Sequence, residues 1–196
     1  MGKEKYLKDI ELLFKKSPVV SFSSIERLVK NKKNVKQYTK QLVRNLLIKN
    51  KIKKLAKGYY TSHEDPTLFV FCFKPAYIGL QSALSFHDIW EQETIPIIIT
   101  TRKIRQGIRS ILGVNVLVRR IDKKYFFGFD YFKKNSLYFP YSDIEKTFID
   151  MVYFKENLNK DVIKTLFKKI NRKKLNNYLR IYPKKFKQQI LNYIKF

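Results

Sequence analysis

Three short helical patterns followed by a strongly basic hairpin occupy residues 5–62, and this order constrains the fold more than any other feature. Apolar residues recur at helical spacing over residues 5–16, and a Ser-Pro pair ends that helix. After a short apolar link, Ser23 and Glu26 have the spacing of a capping box. We therefore expect a second helix that begins at Ser23 and runs to about Lys30.

The third helical pattern has one apolar and one polar face. Asn34 can cap it, and Val35, Tyr38, Leu42 and Leu46 form its apolar stripe. Long polar side chains occupy the opposite face, namely Lys36, Gln37, Lys40, Gln41 and Arg44. The pattern predicts a helix that packs by one face and presents hydrogen-bonding groups on the other.

The stretch KIKKLAKGYYTS, residues 51–62, predicts a β-hairpin with its turn at Lys57-Gly58. Glycine suits this turn because it adopts the positive φ that tight hairpins need. Ile52 and Leu55 are three residues apart, which does not place both on one face of a flat strand. Either the third helix continues through Ile52, or the hairpin contains a bulge.

A winged helix-turn-helix has the order helix, link, helix, turn, helix and basic hairpin. We therefore assign residues 1–65 to such a DNA-binding domain. Arg and Lys suit guanine and Gln suits adenine, whereas wing lysines suit phosphates. The two tyrosines of the hairpin either bond a phosphate or pack under the wing. Some winged helices bind proteins instead. The predicted DNA-binding side chains are Lys33, Lys36, Gln37, Lys40, Gln41, Arg44, Lys53, Lys54, Lys57, Tyr59 and Tyr60.

The charge balance independently favours a polyanionic partner. The chain carries 42 Lys and Arg against 16 Asp and Glu, a net charge of +26. Such a protein repels itself unless it holds counterions or a polyanion. Nucleic acid is the usual partner, and an anionic membrane surface or an acidic protein is the alternative. The codon bias of an AT-rich genome would explain why Lys outnumbers Arg, but it would not explain the shortage of acidic residues.

The chain is expected to be cytoplasmic and not membrane-bound. Its start is charged throughout, and no apolar run approaches the roughly 18 residues that a membrane span requires. The single cysteine, Cys72, cannot form an intramolecular disulfide and reads as a buried free thiol.

Pro66 marks the predicted boundary of a second, α+β domain over residues 66–196. We expect a buried helix within residues 74–90 and strands in TIPIIITT, GVNVLVRRI, YFFGFDYF and SLYFP. The segment RKIRQGIRS is predicted to be a basic connection between two strands. The result is a mixed or antiparallel sheet of about four strands packed with helices.

The carboxy-terminal part, about residues 156–196, predicts three lysine-rich helices. Asn159 can cap the first, and Pro183 ends the second and can open the third. Their lysines form either a solvated face or a second surface for a polyanion, DNA or RNA.

The motif that begins at Ser142 has two interpretations. Ser142 and Glu145 have capping-box spacing, with Asp143 adding a favourable charge at a helix start. Lys146 and Asp150 are i, i+4 partners. The motif either starts a helix well or supplies a functional contact. The candidate functional surface of this domain is Arg102, Lys103, Arg105, Lys146 and Asp150.

Two short patterns carry a resemblance to a known family. They are Tyr77-Ile78-x-Leu80-x-Ser82-Ala83-Leu84 and Ser142-Asp143-x-Glu145-Lys146-Thr147-x-x-Asp150. With the preceding LAKGYYTS and the intervening IPIIITTRK, the chain over roughly residues 5–155 resembles the AbiEi-type antitoxins of type IV toxin–antitoxin systems. The resemblance implies a winged domain that represses its own operon. It also implies a second domain that counters a nucleotidyltransferase-like toxin encoded next door, although some relatives look like free-standing regulators.

Catalytic patterns are scarce, and we predict no enzyme, cofactor or metal site. His63 and His87 stand alone, and the six glycines form no phosphate-binding loop. A nuclease built on acidic residues near Glu145 and Asp150 is the remaining enzymatic alternative.

We expect instead a sequence-specific DNA-binding autorepressor that acts as an antitoxin. Because one winged helix reads few base pairs, it should load as a dimer or a cooperative pair on an inverted repeat in its own operator.

Overall fold

The structure is a computed structural model that describes residues 6–30, 32–134 and 136–194. Over these residues it is a mixed α+β chain with two β-sheets, as expected for the fold class. The chain divides into two compact units, Met1–Cys72 with Ser110–Val114, and Phe73–Arg109 with Asn115–Phe196. The boundary predicted at Pro66 lies at the start of a 3-10 helix, Pro66–Phe73, in which the first unit ends.

The first unit combines three helices with a small antiparallel sheet of order β1-β3-β2. Its core is made by the apolar faces of the helices and the inner face of the sheet, with Ile10, Ile25 and Leu46 at its centre. The elements are α1 (Leu7–Lys16), β1 (Val20–Ser21), α2 (Phe22–Leu28), α3 (Val35–Ile48), β2 (Lys53–Ala56) and β3 (Tyr59–Thr61).

The start of α2 corrects the predicted capping box. Helix α2 begins at Phe22, directly after β1, so Ser23 lies inside the helix. The cap is Ser21, whose Oγ accepts a hydrogen bond from the Ser24 amide at 3.1 Å. The helix ends at Leu28 rather than near Lys30. The prediction failed because the short strand β1 was not visible in the apolar link.

The β2–β3 hairpin contains the bulge that the spacing of Ile52 and Leu55 suggested. Lys54 pairs with Tyr60 and Ala56 pairs with Tyr59, so Leu55 is the extra residue. Ile52 and Leu55 are both buried, since the bulge returns Leu55 to the inner face. The predicted turn is also present, with Gly58 at a φ of +79°.

A six-stranded mixed sheet has the order β6-β7-β5-β4-β9-β8, and its residues belong to the second unit except for Ser110, Ile111 and Val114. Parallel pairs, β4 with β9 and β5 with β7, lie beside the antiparallel pairs β4–β5 and β8–β9. The strands are β4 (Ala76–Ile78), β5 (Ile97–Thr100), β6 (Gly107–Ile111), β7 (Val114–Arg120), β8 (Phe129–Lys134) and β9 (Leu137–Ser142). The helices are α4 (Leu80–Phe86), α5 (Ile144–Tyr153), α6 (Lys160–Lys169), α7 (Arg172–Leu179) and α8 (Lys184–Ile194), with a 3-10 turn at Lys123–Tyr125.

Two strands of this sheet were not predicted. Ala76–Ile78 was assigned to a helix but is β4, and all three of its residues are buried inside the sheet. At Gly79 the chain turns from β4 into α4, and a Cβ there would lie 2.5 Å from Ile99 Cδ1. The segment predicted as a basic connection contains β6. The three residues of β4 are too few to show a period of two, and the sequence of β6, GIRSI, does not alternate between apolar and polar residues.

The start of α5 is a second corrected cap. Ser142 is the buried last residue of β9, and its hydroxyl lies 2.7 Å from that of Thr147. Asp143 is the N-cap, and its Oδ1 accepts a hydrogen bond from the Lys146 amide at 2.7 Å. The helix therefore starts one residue later than predicted, because Ser142 belongs to the sheet.

The three carboxy-terminal helices follow the predicted order. Asn159 caps α6 through the Val162 amide at 2.8 Å, and α8 begins directly after Pro183. Asn171, which was not predicted as a cap, accepts a hydrogen bond from the Lys174 amide at 3.1 Å. None of the helices in the described part of the chain combines the length and the apolar composition that crossing a bilayer requires.

Candidate nucleic-acid interface

Helix α3 is held so that its polar face stays in solvent. Asn34 Oδ1 accepts a hydrogen bond from the Gln37 amide at 3.1 Å, which confirms the predicted cap. Thr39, fully buried, donates its hydroxyl to the Val35 carbonyl at 2.8 Å. Leu42 and Leu46 are buried in the core of the first unit. These contacts fix the rotation of the helix about its own axis, and therefore which residues face outward.

The outward face carries the residues that the sequence singled out. Lys36, Gln37, Lys40, Gln41 and Arg44 are all exposed. A groove of about 530 Å³ lies along this face, and it adds residues that precede the helix. Its lining consists of Lys32, Lys33, Asn34, Gln37, Tyr38, Lys40, Gln41 and Arg44. Lys36 is exposed but does not line the groove.

The charged side chains described along this groove are all positive. Among the residues that the structure describes, its lining contains four cationic side chains and no carboxylate. Lys40 and Arg44 form no ion pair among the described residues, so their charges are available to a ligand. The Lys32 ammonium lies 4.7 Å from the centre of the Tyr38 ring, a cation–π contact that helps to place it. An anion with spaced charges is the ligand that suits such a surface.

Tyr38 and Lys32 are lining residues that the sequence did not assign to the interface. Tyr38 was placed in the apolar stripe, but it is only half-buried and packs edge-on against Tyr6, with 5.9 Å between the ring centres. Its position at the edge of the stripe was the available signal. Lys32 belongs to the polar turn before α3, from which the sequence assigned only Lys33 to the interface.

The predicted wing residues of the β2–β3 hairpin differ in their contacts. Lys54 and Lys57 are exposed, whereas Lys53 donates a hydrogen bond to the Glu64 carboxylate. This ion pair lowers the pKa of Glu64. The carbonyl of Gly58 accepts from the Phe22 amide at 2.8 Å, which ties the turn to the start of α2.

The burial of Tyr60 conflicts with its place among the predicted DNA-binding side chains. Its side chain is 8% exposed and packs in the core of the first unit, where burial raises the pKa of its hydroxyl. Of the two roles suggested for the hairpin tyrosines, Tyr60 has the packing role. Tyr59 is half-buried and retains a surface.

Lys146 and Asp150 are not part of a surface. Both side chains are completely buried and form an ion pair within α5. Tyr77 donates its hydroxyl to Asp150 Oδ2 at 2.6 Å, and the rings of Tyr77 and Phe127 lie 5.7 and 5.3 Å from the Lys146 ammonium. This burial does not support the interpretation of the motif as a functional contact, because both charges are enclosed and paired with each other.

A second layer of polar contacts surrounds this buried pair. Tyr178 donates to Asp143 Oδ2 at 2.8 Å, and the Lys174 ammonium lies 3.1 Å from Asp143 and 3.3 Å from Glu145. Glu145 also accepts from the Asn171 amide at 2.7 Å. The network ties α5 to α7, so the motif has a structural function. A nuclease site at Glu145 and Asp150 loses its basis, since both carboxylates are buried and paired.

The remaining candidates do not join this cluster. Arg102, Lys103 and Arg105 are exposed on the loop between β5 and β6, whereas Lys146 and Asp150 are interior, so these five residues form no common surface. Among the described residues, no group of three or more His, Cys, Asp or Glu side chains could hold a metal ion. The Nε2 of His87 lies 2.7 Å from the Ser142 carbonyl oxygen.

Comparison with known proteins supports the fold and does not assign a family. No family model matches the chain, and no curated protein matches it by sequence. The chain is similar in structure to the RV2827C protein from Mycobacterium tuberculosis, whose crystal structure has been determined. The TM-score is 0.63 at 11% identity, and the match covers 97% of this chain and 76% of that protein. At this identity the similarity concerns the fold alone.

Proposed function

We propose that the first unit is a winged helix-turn-helix that binds duplex DNA, with α3 as the recognition helix and the β2–β3 hairpin as the wing. The observation that carries the proposal is the groove along α3, which is basic and exposed and whose described lining residues include no carboxylate. The order of helices and strands in this unit supports the same assignment.

The chemistry of α3 suits base readout. The major groove of DNA is about 12 Å wide and admits a helix, and Arg or Lys pairs with guanine while Gln pairs with adenine. Arg44, Lys40 and Gln41 are exposed and lie within about one turn of each other on α3. Gln41 donates to Asn45 Oδ1 at 3.2 Å, which orients its amide. These three side chains are the proposed determinants of sequence preference.

The wing has a simpler role, which is to contact phosphates. Lys54 and Lys57 are exposed on it and act as point charges. Lys53 contributes less because its ammonium is already paired with Glu64. We therefore assign the main backbone contacts of the hairpin to Lys54 and Lys57.

Repression of its own gene is the proposed biological role. One helix covers a single half-site, so tight binding requires two copies on an inverted repeat. Footprinting of the DNA upstream of the gene tests this arrangement. Protection of two half-sites at one helical turn, or a multiple of it, supports the proposal. Protection of one half-site at saturation would refute the two-copy operator.

The antitoxin role rests on the resemblance to AbiEi-type antitoxins in the two motifs of the second unit. It applies if a nucleotidyltransferase-like gene lies beside this one. Co-expression of both genes tests it, with rescue of growth as the expected result. A neighbouring gene of that type whose toxicity persists would contradict the antitoxin role. A locus without such a gene leaves the alternative of a free-standing regulator with the same DNA-binding surface.

A further inference from the structure

A second basic groove lies in the second unit, between α6 and α8. Its volume is about 730 Å³, within the range of sites that hold small ligands. Its floor is apolar and partly aromatic, formed by Ile163, Phe167 and Tyr193, all half-buried. Neither the sequence motifs nor the proposed operator contacts involve this groove.

The core of the second unit anchors the two aromatic rings of the floor. The buried Phe148 packs edge-on against Phe167, with 5.3 Å between ring centres and 75° between planes. It packs in the same way against Tyr193, at 6.1 Å and 90°. Because both rings are held from the core and are only half-buried, each keeps a surface that lines the groove. Flat, fixed aromatic surfaces are what stacked bases require.

One wall of the groove is a row of cations along α6. Lys160, Lys164 and Lys168 follow each other at intervals of four residues, all exposed and all lining the groove. Four residues of α-helix rise about 6 Å, so the ammonium groups form an extended line and not a point cluster. Arg172 continues the lining at the start of α7. The nearby acid, Asp161, lies outside the lining and 4.0 Å from Lys164.

We propose that this groove binds a single-stranded nucleic acid. The phosphates follow the Lys160–Lys164–Lys168 row, and unpaired bases stack on Phe167 and Tyr193. Single strands are bound by this combination of a basic track and aromatic platforms. A duplex fits less well, because its bases are already stacked and paired. An acidic amphipathic helix would match the charge, but it would not require fixed aromatic surfaces.

This proposal does not rest on the proposed operator binding, because it concerns another unit and another ligand. The test uses the full-length chain and labelled oligonucleotides of about 12 nucleotides, oligo(U) and oligo(dT), by fluorescence anisotropy. The groove variant is Lys164→Ala with Lys168→Ala. The matched control is Lys184→Ala with Lys185→Ala, which removes the same charge from exposed positions outside the groove lining.

The groove variant should weaken single-strand binding by about tenfold or more, and the control pair by much less. Phe167→Leu keeps an apolar side chain but removes the stacking surface, and it should weaken binding by about five- to tenfold. Melting temperatures establish that each variant is folded. If Phe167→Leu does not fold, Tyr193→Leu takes its place. The operator affinity of all these variants should stay near that of the parent.

Photo-crosslinking provides a readout that charge alone cannot produce. Oligonucleotides that carry 5-iodouracil should crosslink to peptides that contain Phe167 or Tyr193. Equal affinities of groove variant and control, with crosslinks elsewhere, would overturn the proposal. An acidic amphipathic helix would then be the occupant to test. Binding of either oligo(U) or oligo(dT) at the groove supports the proposal.

Discussion

Two charged clusters of this molecule differ in what surrounds their charges, although they look alike in the sequence. On α3, Lys40 and Arg44 are exposed and form no ion pair among the described residues. In α5, Lys146 and Asp150 are completely buried and paired with each other. Both sets are charged residues at helical spacing. The difference shows that helical spacing alone does not distinguish an exposed charged face from an interior network.

The interior cluster exists because each buried charge has partners. Burial lowers the pKa of Lys146 and raises the pKa of Asp150, and the attraction between the two opposes both changes. For Lys174, burial alone would lower the pKa, but attraction to Asp143 and Glu145 raises it. Removal of one member leaves a charge without compensation, which is far more destabilising than removal of an exposed cation.

The first prediction tests that contrast with the largest expected effect. Asp150→Ala leaves the Lys146 ammonium and the Tyr77 hydroxyl buried without their acceptor. We expect the free energy of unfolding to fall by about 3–5 kcal/mol. Denaturant unfolding followed by the fluorescence of Trp90, the single tryptophan and a residue of the second unit, measures it.

The matched control for this prediction removes both charges together. Lys146→Met with Asp150→Leu fills the same space without a charge and should recover most of the lost stability. A loss below about 1 kcal/mol for Asp150→Ala would show that the pair is not the interior anchor described here.

The second prediction concerns the exposed cluster. Arg44→Ala should lower the preference for operator over scrambled DNA by about 1–3 kcal/mol, because a bidentate contact to guanine is lost. Its unfolding curve should match that of the parent. Gel-shift titration on both probes measures the preference, with Lys184→Ala as a control for loss of charge alone. Unchanged preference would mean that α3 is not the recognition helix.

The third prediction uses pH to probe the layer around the buried pair. Burial and the hydrogen bond to Asp143 raise the pKa of Tyr178 to about 12. An unfolded tyrosine loses its proton near pH 10, so this stabilisation is present below about pH 10 and is lost as the pH rises toward 12. Tyr178→Phe should cost about 1 kcal/mol at neutral pH and should reduce the alkaline loss.

The comparison variant for the pH series is Tyr131→Phe, since Tyr131 is 52% exposed. It should leave both the neutral stability and the alkaline slope unchanged. Tyr77 and Tyr182 also have a raised pKa, mainly through burial, so some alkaline loss should persist in Tyr178→Phe. An alkaline slope identical to that of the parent would remove Tyr178 from the network.

The fourth prediction, with the smallest expected effect, compares two lysines of the β2–β3 hairpin, the proposed wing. Lys57→Ala should weaken operator and scrambled DNA equally, by about threefold, and should reduce the salt dependence of binding by about one charge. Lys53→Ala should do less, because Lys53 is already paired with Glu64. Titrations at several salt concentrations measure both slopes. A larger effect for Lys53→Ala would reverse the assignment of phosphate contacts.

The sequence predicted the elements whose signals are local. The Asn34 cap of α3, the Lys57-Gly58 turn and the Asn159 cap of α6 depend on one side chain and its neighbouring amides, and all three are confirmed. The strand Ile97–Thr100 was predicted because a run of β-branched residues is informative by itself.

Features set by tertiary packing were missed or misplaced. The three residues of β4 show no period, and Ser142 could not be seen to end a strand, so Asp143 was not identified as the cap. The burial of Lys146 depends on Tyr77 and Phe127, which come from other parts of the chain. The groove between α6 and α8 likewise requires two helices to meet, so only their lysines were noted.

The most direct test of the central claim is a competition titration of the full-length chain on the DNA upstream of its own gene against scrambled DNA, at two salt concentrations. Charge alone gives binding to both, with steep salt dependence. We predict a preference of about a thousandfold or more for the upstream DNA that persists at the higher salt and falls in Arg44→Ala. Equal affinity for both probes at both salt concentrations would contradict the account of α3 as a recognition helix.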